Sequence, residues 1–258
     1  MKRRGQVTLF VAAGILLLGG FILFAIIRDT STSKLEPEIE NVRIDDTNIR
    51  NFVQSCVDKT SKDAVFYLGF IGGNLKEDAF PNFYNFDTSY RLPYYYHEGK
   101  SFILTEQEFN DLVLAKYINE NLRECTNGFK SFKNTRIADN NPKTSVELTD
   151  NEAAFNIIYP VSINRGFKTR NLDSNYVTEV KARLKDIIAI ARHIVADETE
   201  NDRYIHWDYL TDVSNRNYNI TAYTHDENTI IYRIIDLENE IDDEPYIFQW
   251  ANKINLAK

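Results

Sequence analysis

The stretch 217–236, NYNITAYTHDENTIIYRIID, decides the fold class because it predicts a β-hairpin. Both of its arms, 217–224 and 228–236, are rich in β-branched and aromatic residues, which strands favour. Between the arms stand His225, Asp226 and Glu227, a short polar connection of the kind that joins two neighbouring strands. The stretch therefore indicates an antiparallel pair.

Further strands are predicted before and after this hairpin. Residues 144–148 and 153–163 favour strands that flank a turn around Asp150 and Asn151. The segment 176–184, YVTEVKARL, alternates as a strand and runs into a helix. The last strand is predicted at 245–250, PYIFQW.

Two more helices are predicted earlier in the chain. Residues 46–71 place their apolar side chains on one broad helical face, with Asp46 or Thr47 as cap and Gly72-Gly73 as end. A second helix begins at a capping box, Thr105 to Glu108, and ends at Gly128. Antiparallel strands with about three helices packed on one side predict an α+β fold.

The N-terminal 28 residues differ in composition from the rest of the chain. Val7 to Ile27 is a run of 21 residues without a charged side chain. As a helix with a rise of ~1.5 Å per residue, this run would cross a bilayer and contact membrane lipid through residues 7–27. We therefore predict a signal and transmembrane helix at 1–28, a polar stalk at 29–44 and an extracellular α+β domain at 45–258.

Three basic residues, Lys2, Arg3 and Arg4, precede the apolar run. Basic residues beside a membrane helix favour the cytoplasmic side, so the N-terminus is expected in the cytoplasm and the C-terminal domain outside. The predicted localisation is the cell membrane, with a single pass.

The segment Lys2 to Phe10, KRRGQVTLF, resembles the class III, type IV prepilin-like signal of archaeal membrane-anchored surface proteins. In that family a prepilin-type peptidase cuts between a basic-Gly stretch and the next residue. The resemblance implies cleavage between Gly5 and Gln6, which leaves the apolar helix on the mature protein. It also implies a pilin-like role, because such helices bundle into the core of extracellular filaments.

Two features keep a plain membrane anchor open beside the filament subunit. Phe10 stands where many pilins carry Glu, and Pro37 is poorly compatible with one long helix continuing into the domain. The body of the chain also resembles an uncharacterised family from small-genome archaea. That resemblance rests on VQSCVDKT, YYYHEGK, INENLREC and YIFQWA, and it implies no activity.

Cys56 and Cys125 are the two cysteines of the chain. Both lie on the predicted outer side of the membrane, where disulfides persist. We expect a structural disulfide between the two predicted helices, with two buried free thiols as the alternative. Two isolated thiols cannot complete a structural zinc site.

Nine aromatic side chains crowd residues 80–102, and four tyrosines among them, Tyr90, Tyr94, Tyr95 and Tyr96, are candidates for partner binding. Tyrosine supplies a large contact area to an interface at a small entropy cost. The interpretation we favour is that this connection folds over the two helices and buries its own rings, with the partner-binding patch as the alternative.

Two further motifs are candidate sites of modification or metal binding. Asn219-Ile220-Thr221 is an N-glycosylation sequon, compatible with modification at a cell surface. Asp242-Asp243-Glu244 offers carboxylates for Ca²⁺ but lacks the spacing of a calcium-binding loop, so we expect an acidic turn. The sequence predicts no metal and no cofactor.

Charge and motifs narrow the function. Residues 29–258 carry 26 basic and 38 acidic side chains, a net charge of −12, which argues against nucleic-acid binding. The four histidines are dispersed, and no catalytic motif is present, so an enzyme is not expected. The expected function is a membrane-anchored structural protein of the cell surface, a pilin-like subunit that self-assembles. The alternative is a single-pass adhesion module that recognises a glycan or protein partner.

Overall fold

A computed structural model describes residues 46–73, 80–85, 91–133, 135–165, 168–201 and 205–254. The chain divides into two compact units, Met1–Val42 and Arg43–Lys258, and the described residues all belong to the second. The predicted apolar helix, the cleavage residues Gly5 and Gln6 and the stalk lie outside the described residues. Within the ranges given above, no helix is both long and apolar enough to cross a membrane.

The first helix, α1 (Asp46–Phe70), forms where the apolar spacing predicts it. Its inner face is buried against the second helix and against the strands β9 (Asn175–Lys181) and β12 (Glu244–Lys253). At Gly69 the backbone of β12 comes so close that an added Cβ would lie 2.1 Å from the Ile247 carbonyl oxygen. The helix ends at Gly72 and Gly73, whose positive φ angles suit glycine.

The second helix, α2, runs from Glu106 to Thr126 in three stretches: an α-helical turn Glu106–Glu108, a π-helical stretch Phe109–Ala115 and an α-helix Lys116–Thr126. The predicted capping box is confirmed, since the Glu108 amide donates to Thr105 Oγ1 at 3.2 Å and the Thr105 amide donates to Glu108 Oε2 at 2.8 Å. The end lies just before the predicted Gly128, because Asn127 adopts a left-handed conformation and serves as the C-cap.

The central sheet contains six strands in the order β1-β2-β12-β11-β10, with β3 paired to β2. Their bounds are β1 Phe83–Asn85, β2 Arg91–His97, β3 Lys100–Ser101, β10 Tyr218–Thr224, β11 Thr229–Ile241 and β12 Glu244–Lys253. The predicted hairpin is confirmed as β10 and β11, which pair antiparallel from Tyr218↔Asp236 to Thr224↔Ile230. One pair departs from the antiparallel expectation, since β12 and β2 run parallel.

Two antiparallel sheets of three strands complete the fold, β4-β7-β8 and β5-β6-β9. Their bounds are β4 Arg136–Asp139, β5 Lys143–Leu148, β6 Glu152–Ile158, β7 Val161–Arg165, β8 Lys168–Asn171 and β9 Asn175–Lys181. The prediction of a single strand at 153–163 is therefore wrong, because β6 and β7 occupy this range as two separate strands. Pro160 has no amide to donate to a ladder, and the chain changes sheet at Tyr159-Pro160.

Two further helices lie between β9 and β10 in the chain, α3 (Leu184–Glu200) and α4 (Trp207–Ser214). The first is the predicted helix that follows strand β9. The second was not predicted, and it contacts β10. With antiparallel sheets and four helices, the described part of the chain is an α+β domain, as expected.

The expected disulfide joins α1 to α2 through Cys56 and Cys125, with the two sulfurs 2.19 Å apart. Cys56 is buried among the side chains of the main core. The bridge closes a loop of 69 residues, and in the chain-entropy model such a loop is worth about 4 kcal/mol.

We predict that reduction of this disulfide lowers the free energy of unfolding by about 4 kcal/mol, because the unfolded chain gains freedom. Urea titrations of the full chain, with and without reductant, measure the change. The double variant Cys56→Ala, Cys125→Ala is the control, and its transition should not respond to reductant. An oxidised and a reduced protein of equal stability would contradict the prediction.

Candidate functional site

Three of the four candidate tyrosines lie inside the domain rather than on its surface. Tyr94, Tyr95 and Tyr96 belong to β2, and their exposed fractions are 8%, 0% and 1%. The interpretation of these three side chains as a partner-binding patch is therefore wrong, and the favoured interpretation of self-burial describes them. Tyr90 lies outside the described residues.

Tyr95 belongs to a stack of rings that runs across the central sheet. The ring of Tyr95 stacks on Trp250 of β12 with 5.5 Å between centroids, and Trp250 stacks on Tyr232 of β11 at 5.2 Å. Phe80 extends the stack beyond Tyr95 at 5.6 Å. Buried aromatic pairs of this kind contribute about 0.5–1.5 kcal/mol each beyond their buried area. These four rings form part of the hydrophobic core.

A buried carboxylate ties α3 to this stack. Glu198 is 3% exposed, and it accepts hydrogen bonds from the Tyr232 hydroxyl at 2.5 Å and from the Asn252 amide at 2.6 Å. Burial, reinforced by the adjacent Glu198 carboxylate, raises the pKa of Tyr232 above its usual value, so the phenol remains a donor. A buried charge needs such hydrogen bonds to be tolerated.

Two histidines that the sequence left separate meet near this carboxylate. His193 Nε2 and His206 Nδ1 lie 3.5 and 3.7 Å from the same oxygen of Asp197, and the Tyr209 ring packs on His193. The cavity beside them has a volume of about 10 Å³, enough for about one water molecule.

A second buried charge cluster holds Asp236 at an irregularity in β11. Asp236 is fully buried and pairs with Arg183, whose Nη2 lies 2.5 Å from Oδ1. The Asn239 amide and the Glu238 backbone amide also donate to the Asp236 carboxylate, at 2.9 and 3.0 Å. The Arg183 guanidinium lies 3.9 Å from the centroid of the Tyr218 ring. Arg183 also donates to the backbone carbonyls of Arg216 and Asn217 at 3.0 and 3.1 Å, so the pair ties β11 to the segment before β10.

The outer face of α1 carries an unusual aromatic group, the α1 aromatic ridge, formed by Phe66, Tyr67 and Phe70. Phe66 and Tyr67 are each 41% exposed. Phe66 stacks on Phe70 with 5.7 Å between ring centroids and meets Tyr67 edge-on at 5.5 Å. Tyr67 contacts Tyr117 of α2 at 5.8 Å, which extends the ridge onto the second helix. Contiguous exposed rings of this kind mark interaction sites.

A charged groove continues the same face of α1 toward its N-terminus. The groove has a volume of about 270 Å³, and its lining residues are Ser55, Asp58, Lys59, Lys62, Asp63 and Asp242. Lys59 pairs with Asp63 at 2.8 Å, and Lys62 pairs with Asp242 at 3.1 Å. Charges of both signs therefore stand beside the aromatic ridge.

This ridge was not predicted, although the sequence contains a signal for it. In FYLGF (66–70), the two residues Phe66 and Tyr67 fall out of phase with the buried face, which takes Ala64, Val65 and Leu68. An aromatic side chain on the outer phase of an amphipathic helix indicates a contact beyond the domain.

The remaining candidate residues fall on exposed turns and edges. Asn219 is exposed on β10, the last strand of the central sheet. Asp242 and Asp243 form the exposed two-residue turn between β11 and β12, both with positive φ, as the acidic turn expected there. Across the residues that the structure describes, no group of three or more His, Cys, Asp or Glu side chains is arranged to hold a metal ion.

Comparison with known proteins identifies no matching family model, no matching curated protein and no matching solved structure.

The Asp236 pair predicts an acid-sensitive contribution to stability. Burial raises the pKa of Asp236, but the hydrogen bonds from Arg183, Asn239 and Glu238 outweigh burial and leave the pKa below the usual 3.8. A carboxyl group with a lowered pKa stabilises the fold above pH 3.8 and loses this effect as the pH falls through its folded pKa.

We therefore expect Asp236→Asn to lower the free energy of unfolding by about 3–5 kcal/mol at neutral pH, because Arg183 loses its buried partner. The same variant should lose less stability than the wild type between pH 5 and pH 2, measured by urea unfolding at each pH. Asp243→Asn, in the exposed turn, is the matched control and should follow the wild type. Equal acid sensitivity of Asp236→Asn and wild type would contradict this assignment.

Proposed function

We propose that this protein is a membrane-anchored structural protein of the cell surface, of the pilin-like type. In this proposal the segment 7–27 anchors the chain in the membrane, and the α+β domain is displayed outside. The observation that carries the proposal is the Cys56–Cys125 disulfide in the domain, because structural disulfides persist outside the reducing cytoplasm. The basic-Gly-Gln start of the sequence supports the same placement.

The finer part of the proposal concerns assembly. Cleavage between Gly5 and Gln6 by a prepilin-type peptidase would release an N-terminus that begins close to the apolar run. A mature chain of that form could enter a filament through its apolar helix, while the domain forms the outer layer.

A second candidate function is a surface adhesion module that binds a glycan or protein partner. The observation that favours it is the α1 aromatic ridge, since Phe66 and Tyr67 expose ring surface beside a groove with charges of both signs. Tyr94, Tyr95 and Tyr96 no longer support this function, because their rings are enclosed in the domain.

The mass of the intact chain from native membranes tests the anchor and its processing. The proposal expects a chain that begins at Gln6 and sediments with the membrane. The variant Gly5→Val is the control, because a bulky residue at the cleavage position should leave the chain beginning at Met1. A chain that begins at Met1 in the wild type would contradict the processing, and one that begins after Ile27 would contradict the anchor itself.

A further inference from the structure

We propose that the outer face of α1 is a self-association surface that binds the same face of a second copy of this chain. This inference deepens the proposed function and rests on it, because domains displayed on one membrane meet each other at high local concentration. The surface consists of the α1 aromatic ridge and the charged groove beside it.

The residues of this surface follow one helical line. Lys59, Phe66 and Phe70 follow one face of α1, and the neighbours Lys62 and Asp63 each lie three or four positions from Lys59 and from Phe66, so all five side chains share that face. The opposite face of the helix is buried in the core, including Val57, Ala64 and Leu68. The outer line is therefore the part of α1 that faces away from the domain's own core.

The line changes character half-way along the helix. Its N-terminal half is charged, with Lys59 and Lys62, whereas its C-terminal half is aromatic, with Phe66, Tyr67 and Phe70. Neither Phe66 nor Tyr67 is enclosed, although the rest of α1 follows the amphipathic pattern of a surface helix. Aromatic residues are enriched in protein interfaces, whose rims are polar.

The two halves complement each other when two copies of α1 pack antiparallel. A two-fold axis between Lys62 and Asp63 places each Lys62 opposite the partner's Asp63. The ion pairs within each copy, Lys59–Asp63 and Lys62–Asp242, then join into one network of alternating charges across the axis. The same axis places each Lys59 opposite the partner's Phe66, where an ammonium group meets the face of a ring. Opposite charges and cation–ring contacts are thus formed twice, once on each side of the axis.

The charges of the groove favour a protein partner over a lipid surface. Asp58, Asp63 and Asp242 line it beside the two lysines, and the chain from residue 29 onward carries a net charge of −12. Anionic lipid headgroups attract clusters of Lys and Arg and are repelled by carboxylates. A second copy of the chain carries both lysines and aspartates on this face, so that its positive side chains can lie opposite negative ones.

Crosslinking of the full chain in membranes tests this arrangement. The variant Lys62→Cys places one thiol next to the predicted axis, and a short bifunctional thiol reagent should convert most of it to covalent dimers. The native cysteines are already paired in a disulfide and do not compete. Trp207→Cys is the matched control, because Trp207 is 59% exposed on α4, outside this surface, and should give few dimers.

Sedimentation of the full chain in detergent gives the second readout. We expect the double variant Phe66→Ser, Tyr67→Ser to raise the dimer dissociation constant about tenfold or more, because the aromatic contacts on both sides of the axis are lost together. Trp207→Ser should change it by less than about twofold, since surface changes away from an interface have small effects. Unchanged unfolding of both variants confirms that the fold is intact.

Several outcomes would overturn the inference. Equal dimer yields from Lys62→Cys and Trp207→Cys would do so, as would a dissociation constant that the double variant does not change. Weaker binding of the double variant to vesicles of anionic lipid, without any dimer, would assign the face to a membrane. If the native chain begins after Ile27 and so lacks the anchor, but Lys62→Cys still gives dimers, only the proposed function is contradicted. If the chain is anchored but gives no such dimers, only this inference is contradicted.

Discussion

The parallel pairing of β2 with β12 is the constraint on which the rest of the domain depends. The two strands are about 150 residues apart in the chain, yet Ala251 pairs with Tyr94 and Asn252 with Tyr96. The Tyr95 ring stacks on Trp250, and the Asn252 side chain accepts from the Tyr96 amide at 3.2 Å. The other side of the same Asn252 amide donates to Glu198, so one residue links β2, β12 and α3.

This constraint also decides which aromatic side chains are available to partners. Because β2 is paired to β12 and faces the core, Tyr95 and Tyr96 are enclosed. Two adjacent exposed rings are instead on α1, whose close contact with β12 at Gly69 leaves Phe66 and Tyr67 pointing outward. The proposed interaction surface of the domain therefore lies on its first helix, which directly follows the predicted stalk.

Features fixed by local sequence could be predicted, and features fixed by distant pairing could not. The β10–β11 hairpin and the Thr105 capping box depend on neighbouring residues, so pattern alone located them. The Cys56–Cys125 bridge was predictable because the chain offers a single pairing. The break at Pro160 was missed because the apolar pattern runs through it. The β2–β12 pair was beyond the sequence. The burial of Tyr94 to Tyr96 was one of two interpretations that the sequence allowed, because a tyrosine is suited both to a core and to an interface.

The most direct measurement is the reactivity of individual rings toward hydroxyl radicals, read by mass spectrometry of the folded chain at low concentration. The account predicts rapid oxidation of Phe66 and Tyr67, with Tyr95 and Trp250 oxidised only after denaturation, since the first pair is exposed and the second is enclosed. Rapid oxidation of Tyr95 in the folded chain, with Phe66 and Tyr67 protected, would contradict the account.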